Sequence, residues 1–185
     1  MNTTTSDNQN ETYEMKQTFL SNAITDISSN VQLIDTKVSI IMAAVVAIIV
    51  GLLSGYDNII NLCSSILPCS WRGVALLITV GANAASLLCI FIFGILTIRG
   101  HSSNVSYHSK WFLCKSTKEY SLDSYKSDIW NMSERDIIEN MAVELYKLND
   151  INRQKLLTCK WTLRFYTAYL ATLVLLFTLL MASVL

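Results

Sequence analysis

The sequence has little charge and almost no proline. Charged residues make up 15% of its 185 positions, whereas soluble proteins contain about 25%. The single proline, Pro68, leaves long stretches in which nothing interrupts a helix. Eleven basic residues lie between Arg99 and Arg164, but eight acidic residues are mixed among them and no basic block forms. This mixture argues against a nucleic-acid-binding protein.

Patterns that support catalysis or cofactor binding are also missing. The chain has no nucleophile elbow, no glycine-rich phosphate loop and no paired carboxylates in a plausible cleft. His101, His108 and Cys114 match no zinc-ligand spacing. We therefore predict that the protein is not an enzyme and needs no metal or other cofactor.

What the chain does have is three long apolar runs without a charge. They are 19, 25 and 21 residues long, at 38–56, 74–98 and 165–185. A helix rises 1.5 Å per residue, so each run is about as long as the hydrocarbon layer is thick. The sequence predicts an all-α membrane protein with three transmembrane helices.

The distribution of basic residues predicts the orientation. The loop at 57–73 has one basic residue, Arg72, while the segment at 99–164 has eleven. The positive-inside rule then places the N-terminus and the long segment in the cytoplasm. We expect a multi-pass protein of the inner (plasma) membrane, with the 57–73 loop and the C-terminus outside.

Outside the spans, the pattern predicts helices that extend the first and last spans. Leu20, Ile27 and Ile34 belong to an apolar stripe with helical spacing, and Ser133 before two acids marks a helix start near residue 134. We expect the two extensions to pack together as a cytoplasmic stalk or small domain. The predicted segments are a disordered tail at 1–11, an amphipathic helix at 12–37 and a cytoplasmic segment at 99–164, irregular or short-stranded over 101–130.

Small residues recur in the first two spans, and small residues allow helices to approach closely in lipid. They indicate either an assembly seam between subunits or packing within one subunit, and are Ala43, Ala47, Gly51, Gly55, Gly81 and Ala85. Asn83 is a strongly polar side chain inside a span, where it makes an interhelical hydrogen bond or lines a pore. Cys63 and Cys69 in the external loop form a disulfide or remain two free thiols.

Two short motifs resemble those of a known family. Asp35-Thr36-Lys37-Val38-Ser39 stands at the head of the first span, with an Asp-x-Lys pattern. Before the last span, Leu148, Ile151 and Lys155 fit a Leu-x-x-Ile-x-x-x-Lys pattern. The chain resembles the Pycsar transmembrane effector family (PycTM), and secondarily the related SLATT-type membrane effectors, over about 30–56 and 135–185.

The resemblance implies a bacterial antiphage-defence effector. Such a protein senses a cyclic mononucleotide, such as cUMP or cCMP, on the cytoplasmic side and disrupts the inner membrane, which causes abortive infection. A homo-oligomer in the lipid bilayer and a nucleotide cyclase encoded nearby are the implied partners. Two alternatives stay open: a non-enzymatic scaffold or accessory subunit that recruits a partner, and a holin-like permeabilising protein.

The charges beside the membrane are the candidate ligand-binding or coupling residues: Asp35, Lys37, Arg153 and Lys155. The two helical extensions bring these stretches near one level, where opposite charges can pair and a phosphate can compete for Lys and Arg. The alternative is that the basic side chains only anchor helix ends at the lipid head groups.

Overall fold

The computed structural model describes residues 3–55, 61, 71–101, 103 and 121–182, with side chains from residue 11 onwards. Four helices occupy most of this part of the chain: α1 (Thr3–Ser54), α2 (Trp71–Ile98), α3 (Leu122–Trp130) and α4 (Glu134–Met181). No strand occurs among these residues. The all-α prediction is confirmed.

Three of these helices are long and apolar enough to cross a membrane. They are α2, α4 and the Glu11–Ser54 part of α1. At 1.5 Å per residue, the 28 residues of α2 alone extend about 42 Å, longer than a hydrocarbon layer of about 30 Å. The prediction of three spanning helices is confirmed, while the exact span boundaries stay predictions.

Two stretches differ from the sequence prediction. Helix α1 begins at Thr3, inside the segment predicted to be a disordered tail. The chain has neither proline nor glycine before Gly51, so nothing in this polar stretch breaks the helix. Residues 122–130 form α3 where irregular or short-stranded structure was predicted, and Ser121 caps it by accepting a hydrogen bond from the Ser124 amide at 3.2 Å.

The start of α4 follows the prediction. The Ser133 hydroxyl accepts from the Asp136 amide at 3.3 Å, and the Asp136 carboxylate accepts from the Ser133 amide at 3.0 Å. This reciprocal pair is a capping box with aspartate in the usual place of glutamate. The negative charge also lies at the positive end of the helix dipole.

The chain divides into two compact units. The first comprises Met1–Gln32 and His101–Gln154, and the second comprises Leu33–Gly100 and Lys155–Leu185. Residues of α1 and α4 belong to both units, because each helix runs without a break through the boundary.

In the first unit, the predicted extensions of the first and last spans lie side by side. A groove of about 220 Å³ is lined by Tyr13, Glu14 and Gln17 from α1 and by Glu134, Ile137 and Ile138 from α4. Leu20 and Met141, one from each predicted apolar stripe, are buried. The prediction that the two extensions share one small helical domain is confirmed.

The second unit has its core where α1, α2 and α4 meet. Val45, Ile90 and Tyr169, one from each helix, are fully buried in the largest cluster. A second cluster joins Ile34 and Val38 to Cys159, and a third joins Leu76 to Leu180. The three clusters together fix the three helices against one another along their length.

Gly94 allows α1 and α2 to approach closely within this unit. A Cβ atom built on Gly94 would lie 2.8 Å from Met42 Sδ and 3.6 Å from Val38 Cγ1. Real Cβ atoms do not approach another atom at 2.8 Å, so a side chain here would displace Met42. Gly51 differs, because its Cβ would meet no described atom within 4 Å.

We expect Gly94→Leu to destabilise the second unit by about 1–3 kcal/mol, the usual cost of overpacking a core. Gly51→Leu is the matched control, and it should leave the free energy of unfolding of the single chain nearly unchanged. Denaturant titration of the purified protein in detergent, followed by circular dichroism, measures both. Equal stability of Gly94→Leu and the unchanged protein would contradict the close approach of α1 and α2.

Candidate functional site

The two family-like motifs meet in an ion pair of the second unit. Lys155 Nζ lies 2.6 Å from Oδ1 and 2.6 Å from Oδ2 of Asp35. The Lys155 side chain is 6% exposed and that of Asp35 is 33% exposed. The ammonium of α4 is therefore buried on the carboxylate of α1, and both carboxylate oxygens accept from it.

An apolar cluster lies next to this pair along the two helices. Ile34 precedes Asp35, Val38 follows one turn later, and Cys159 lies one turn beyond Lys155; these three residues form one buried cluster. An unpaired ammonium at such a position would lose its hydration without compensation. The fixed separation of Asp35 and Lys155 therefore sets the register of α1 against α4.

Lys37 lies at the same level of the unit but is exposed. Burial raises the pKa of the Cys159 thiol, and the positive charge of Lys37 partly opposes that rise. Lys37 is thus close enough to act electrostatically on α4, while its side chain stays in reach of solvent or head groups. The geometry is compatible with both readings of this residue, ligand binding and anchoring.

Arg153 has a different setting from the other three candidates. It belongs to the first unit, its side chain is 77% exposed, and it donates to Asp150 on its own helix at 3.3 Å. The structure therefore brings Asp35 and Lys155 together, with Lys37 nearby. Arg153 instead pairs with Asp150 on its own helix. No described contact ties Arg153 to the buried pair.

The small residues predicted to form a seam in the first two spans face outward from the described part of the chain. Ala43, Ala47, Gly51, Gly81 and Ala85 are exposed, and Gly55 is partly exposed. Cβ atoms on Gly51 and Gly81 would touch no described atom within 4 Å. Packing within one subunit is therefore excluded for these two glycines among the described residues, and an assembly seam stays a proposal.

Asn83 makes the predicted type of interhelical contact. Its Nδ2 donates to the backbone oxygen of Tyr169 at 3.2 Å and to Thr172 Oγ1 at 2.9 Å, joining α2 to α4. A polar amide between apolar helices is stabilised when its donors are satisfied in this way. Cys63 and Cys69 lie outside the described residues.

Sequence reasoning missed two features that hold the second unit together. Gly94 was not assigned to a packing face, although Ile90, Gly94 and Thr97 recur at steps of four and three and are all buried. An aromatic stack was missed as well: ring centroids of Phe93 and Phe165 lie 5.5 Å apart, and Trp161 lies 6.1 Å from Phe165. The helical spacing of Ile90, Gly94 and Thr97 could have indicated the packing face. The stack could not be read in this way, because it joins Phe93 to residues of α4 that are distant in the sequence.

The buried pair gives a direct test of its structural role. Asp35→Asn or Lys155→Met alone should lower the free energy of unfolding. Removing one partner of a buried pair costs about 3–5 kcal/mol, and the partial exposure of Asp35 favours the lower end. Arg153→Gln is the control, because its side chain is 77% exposed and its ion pair with Asp150 is worth less than about 1 kcal/mol.

The double variant Asp35→Asn with Lys155→Met completes a thermodynamic cycle, measured by denaturant titration in detergent. We expect it to be more stable than the sum of the single changes, since no unpaired charge is left. Strictly additive losses would contradict a direct interaction between the two side chains.

Comparison with protein families gives a match over most of the chain. The model of the PycTM family, described as the Pycsar effector protein domain, matches residues 19–182. No curated protein and no solved structure matches the chain. The family match includes both motifs, the buried pair that joins them and all three apolar helices. The chain therefore belongs to the Pycsar transmembrane effector family.

Proposed function

We propose that the protein senses a cyclic mononucleotide, such as cUMP or cCMP, on the cytoplasmic side of the inner membrane and then disrupts that membrane. The outcome for the cell is abortive infection, and the protein acts without catalysis. Membership of the Pycsar effector family supports the antiphage role. The observation that carries the proposal is the buried Asp35–Lys155 pair, because it offers a cyclic phosphate a cation already held in place.

The pair can act as a two-state element. In the described state, the Asp35 carboxylate occupies Lys155 with both oxygens. A ligand phosphate is also an anion that accepts strong hydrogen bonds from an ammonium, and it would compete for the same group. The ligand shifts the protein only by its difference in affinity for the closed and open pair. Lys37, exposed at the same level, supplies a second cation for the phosphate.

Assembly of several copies completes the proposal. The exposed small residues Ala43, Ala47, Gly51, Gly81 and Ala85 provide surfaces on which helices of neighbouring copies can approach closely. A change in the position of α1 or α4 would then separate helices of neighbouring copies at such a seam. A nucleotide cyclase encoded nearby would supply the ligand.

The orientation can be tested separately. We expect an alkaline phosphatase domain fused after Leu185 to be active, since this enzyme folds only outside the cytoplasm, and a fusion at the N-terminus to be inactive. The reason is the excess of basic residues between Arg99 and Arg164. An inactive C-terminal fusion at normal expression would contradict the three-span topology.

The sensing step is tested by following Cys159. A variant that keeps only this cysteine should react slowly with a maleimide, because the thiol is buried beside Ile34 and Val38 and burial raises its pKa. We expect addition of cUMP or cCMP to purified protein in vesicles to increase the alkylation rate about tenfold or more, together with leakage of a trapped dye.

Lys155→Ala and Lys37→Ala should remove the nucleotide-dependent increase in both readouts. Arg135→Ala is the control, since it removes an exposed cation of the first unit. A full response from both lysine variants would contradict this region as the sensor and leave the anchoring role. An intact membrane with normal nucleotide binding would favour the scaffold alternative.

A further inference from the structure

Charge is strongly divided between the two units. The second unit contains six basic residues and two acidic residues. Five of these basic residues are at the predicted cytoplasmic end: Lys37, Arg99, Lys155, Lys160 and Arg164. Asp35 is the acidic residue of this unit at the same end, and it forms an ion pair with Lys155. The remaining cations therefore have little acidic charge within their own unit.

Lys160 and Arg164 form the exposed part of this charge. They are four residues apart on α4, so they lie on one face of the helix, and both are exposed. Lys160 and Arg164 thus present two positive charges on one exposed face of α4.

An aromatic side chain fixes the position of Arg164. The guanidinium carbon lies 4.8 Å from the centroid of the Trp161 ring, a cation–π geometry. Trp161 itself stacks on Phe93 at 6.2 Å and on Phe165 at 6.1 Å, yet remains 45% exposed. Arg164 is therefore held on a platform supported by two helices rather than extended into solvent.

Exposed apolar side chains flank these cations on the same helix. Leu163 is 44% exposed and Leu157 is 57% exposed. A small anion in water would bind the cations but gain nothing from the adjacent apolar surface. A phospholipid with a negative head group matches both, since its phosphate contacts Lys160 and Arg164 while its acyl chains cover the leucines.

We propose that Lys160, Arg164 and Trp161 form a binding site for the head group of an anionic phospholipid. This site is separate from the buried Asp35–Lys155 pair and does not depend on nucleotide sensing. Its occupancy stabilises the end of the three-helix unit at which the family motifs meet.

The test uses the full chain purified in a neutral detergent, with phosphatidylglycerol or phosphatidylcholine titrated into the micelles. We expect phosphatidylglycerol to raise the thermal unfolding temperature and phosphatidylcholine to have little effect. Lys160→Gln with Arg164→Gln should increase the half-saturating phosphatidylglycerol concentration about 25-fold, since each basic residue changes the affinity about fivefold.

Lys126→Gln with Arg135→Gln is the matched control, because it removes two exposed cations from the first unit. This variant should keep the response of the unchanged protein. Unfolding temperatures in phosphatidylcholine show whether each variant is folded before the comparison is made. An unchanged half-saturating concentration in the Lys160 and Arg164 variant would overturn the site. An equal rise of the unfolding temperature with inorganic phosphate would show that the site binds a free anion and not a lipid.

Discussion

The ammonium of Lys155 is buried in an apolar environment, and the rest of the second unit has to supply its counter-charge. Asp35 does so with both oxygens at 2.6 Å. Because the pair joins α1 to α4, a shift of either helix by one residue would separate charges that are costly to bury alone. The packing of Ile34 and Val38 against Cys159 surrounds the pair and depends on the same register.

This constraint explains why two short motifs far apart in the sequence characterise the chain. The Asp-x-Lys element and the Leu-x-x-Ile-x-x-x-Lys element are 120 positions apart at Asp35 and Lys155, yet they provide the two halves of one contact. An ion pair requires a short distance between the two groups as well as opposite charges, and long helices without proline hold the groups at that distance. Under the proposed sensing function, a ligand phosphate would compete with Asp35 for a cation that is already positioned.

Much of the fold could be predicted from the sequence, because helical spacing and the lengths of apolar runs are local signals. The three spanning helices and the Ser133 cap follow from such signals. The segment 122–130 was harder, since its polar and aromatic residues have no apolar period, and a Ser121 cap alone does not distinguish a short helix from a turn.

The sequence singled out four charged residues beside the membrane, but it did not show which of them form a pair. Asp35, Lys37, Arg153 and Lys155 are all charges beside a span, and sequence alone gives each the same weight. Helix rotation decides that the Lys155 side chain is 6% exposed, whereas the Arg153 side chain is 77% exposed and pairs with Asp150. The small-residue stripe has the same ambiguity, because spacing places Gly51 on a face without showing whether that face is inward or outward. Gly94 shows the inward choice, where a Cβ atom would collide with Met42, and Gly51 shows the outward one. Close approach within this subunit thus uses Gly94 and not Gly51, and only three-dimensional packing distinguishes the two positions.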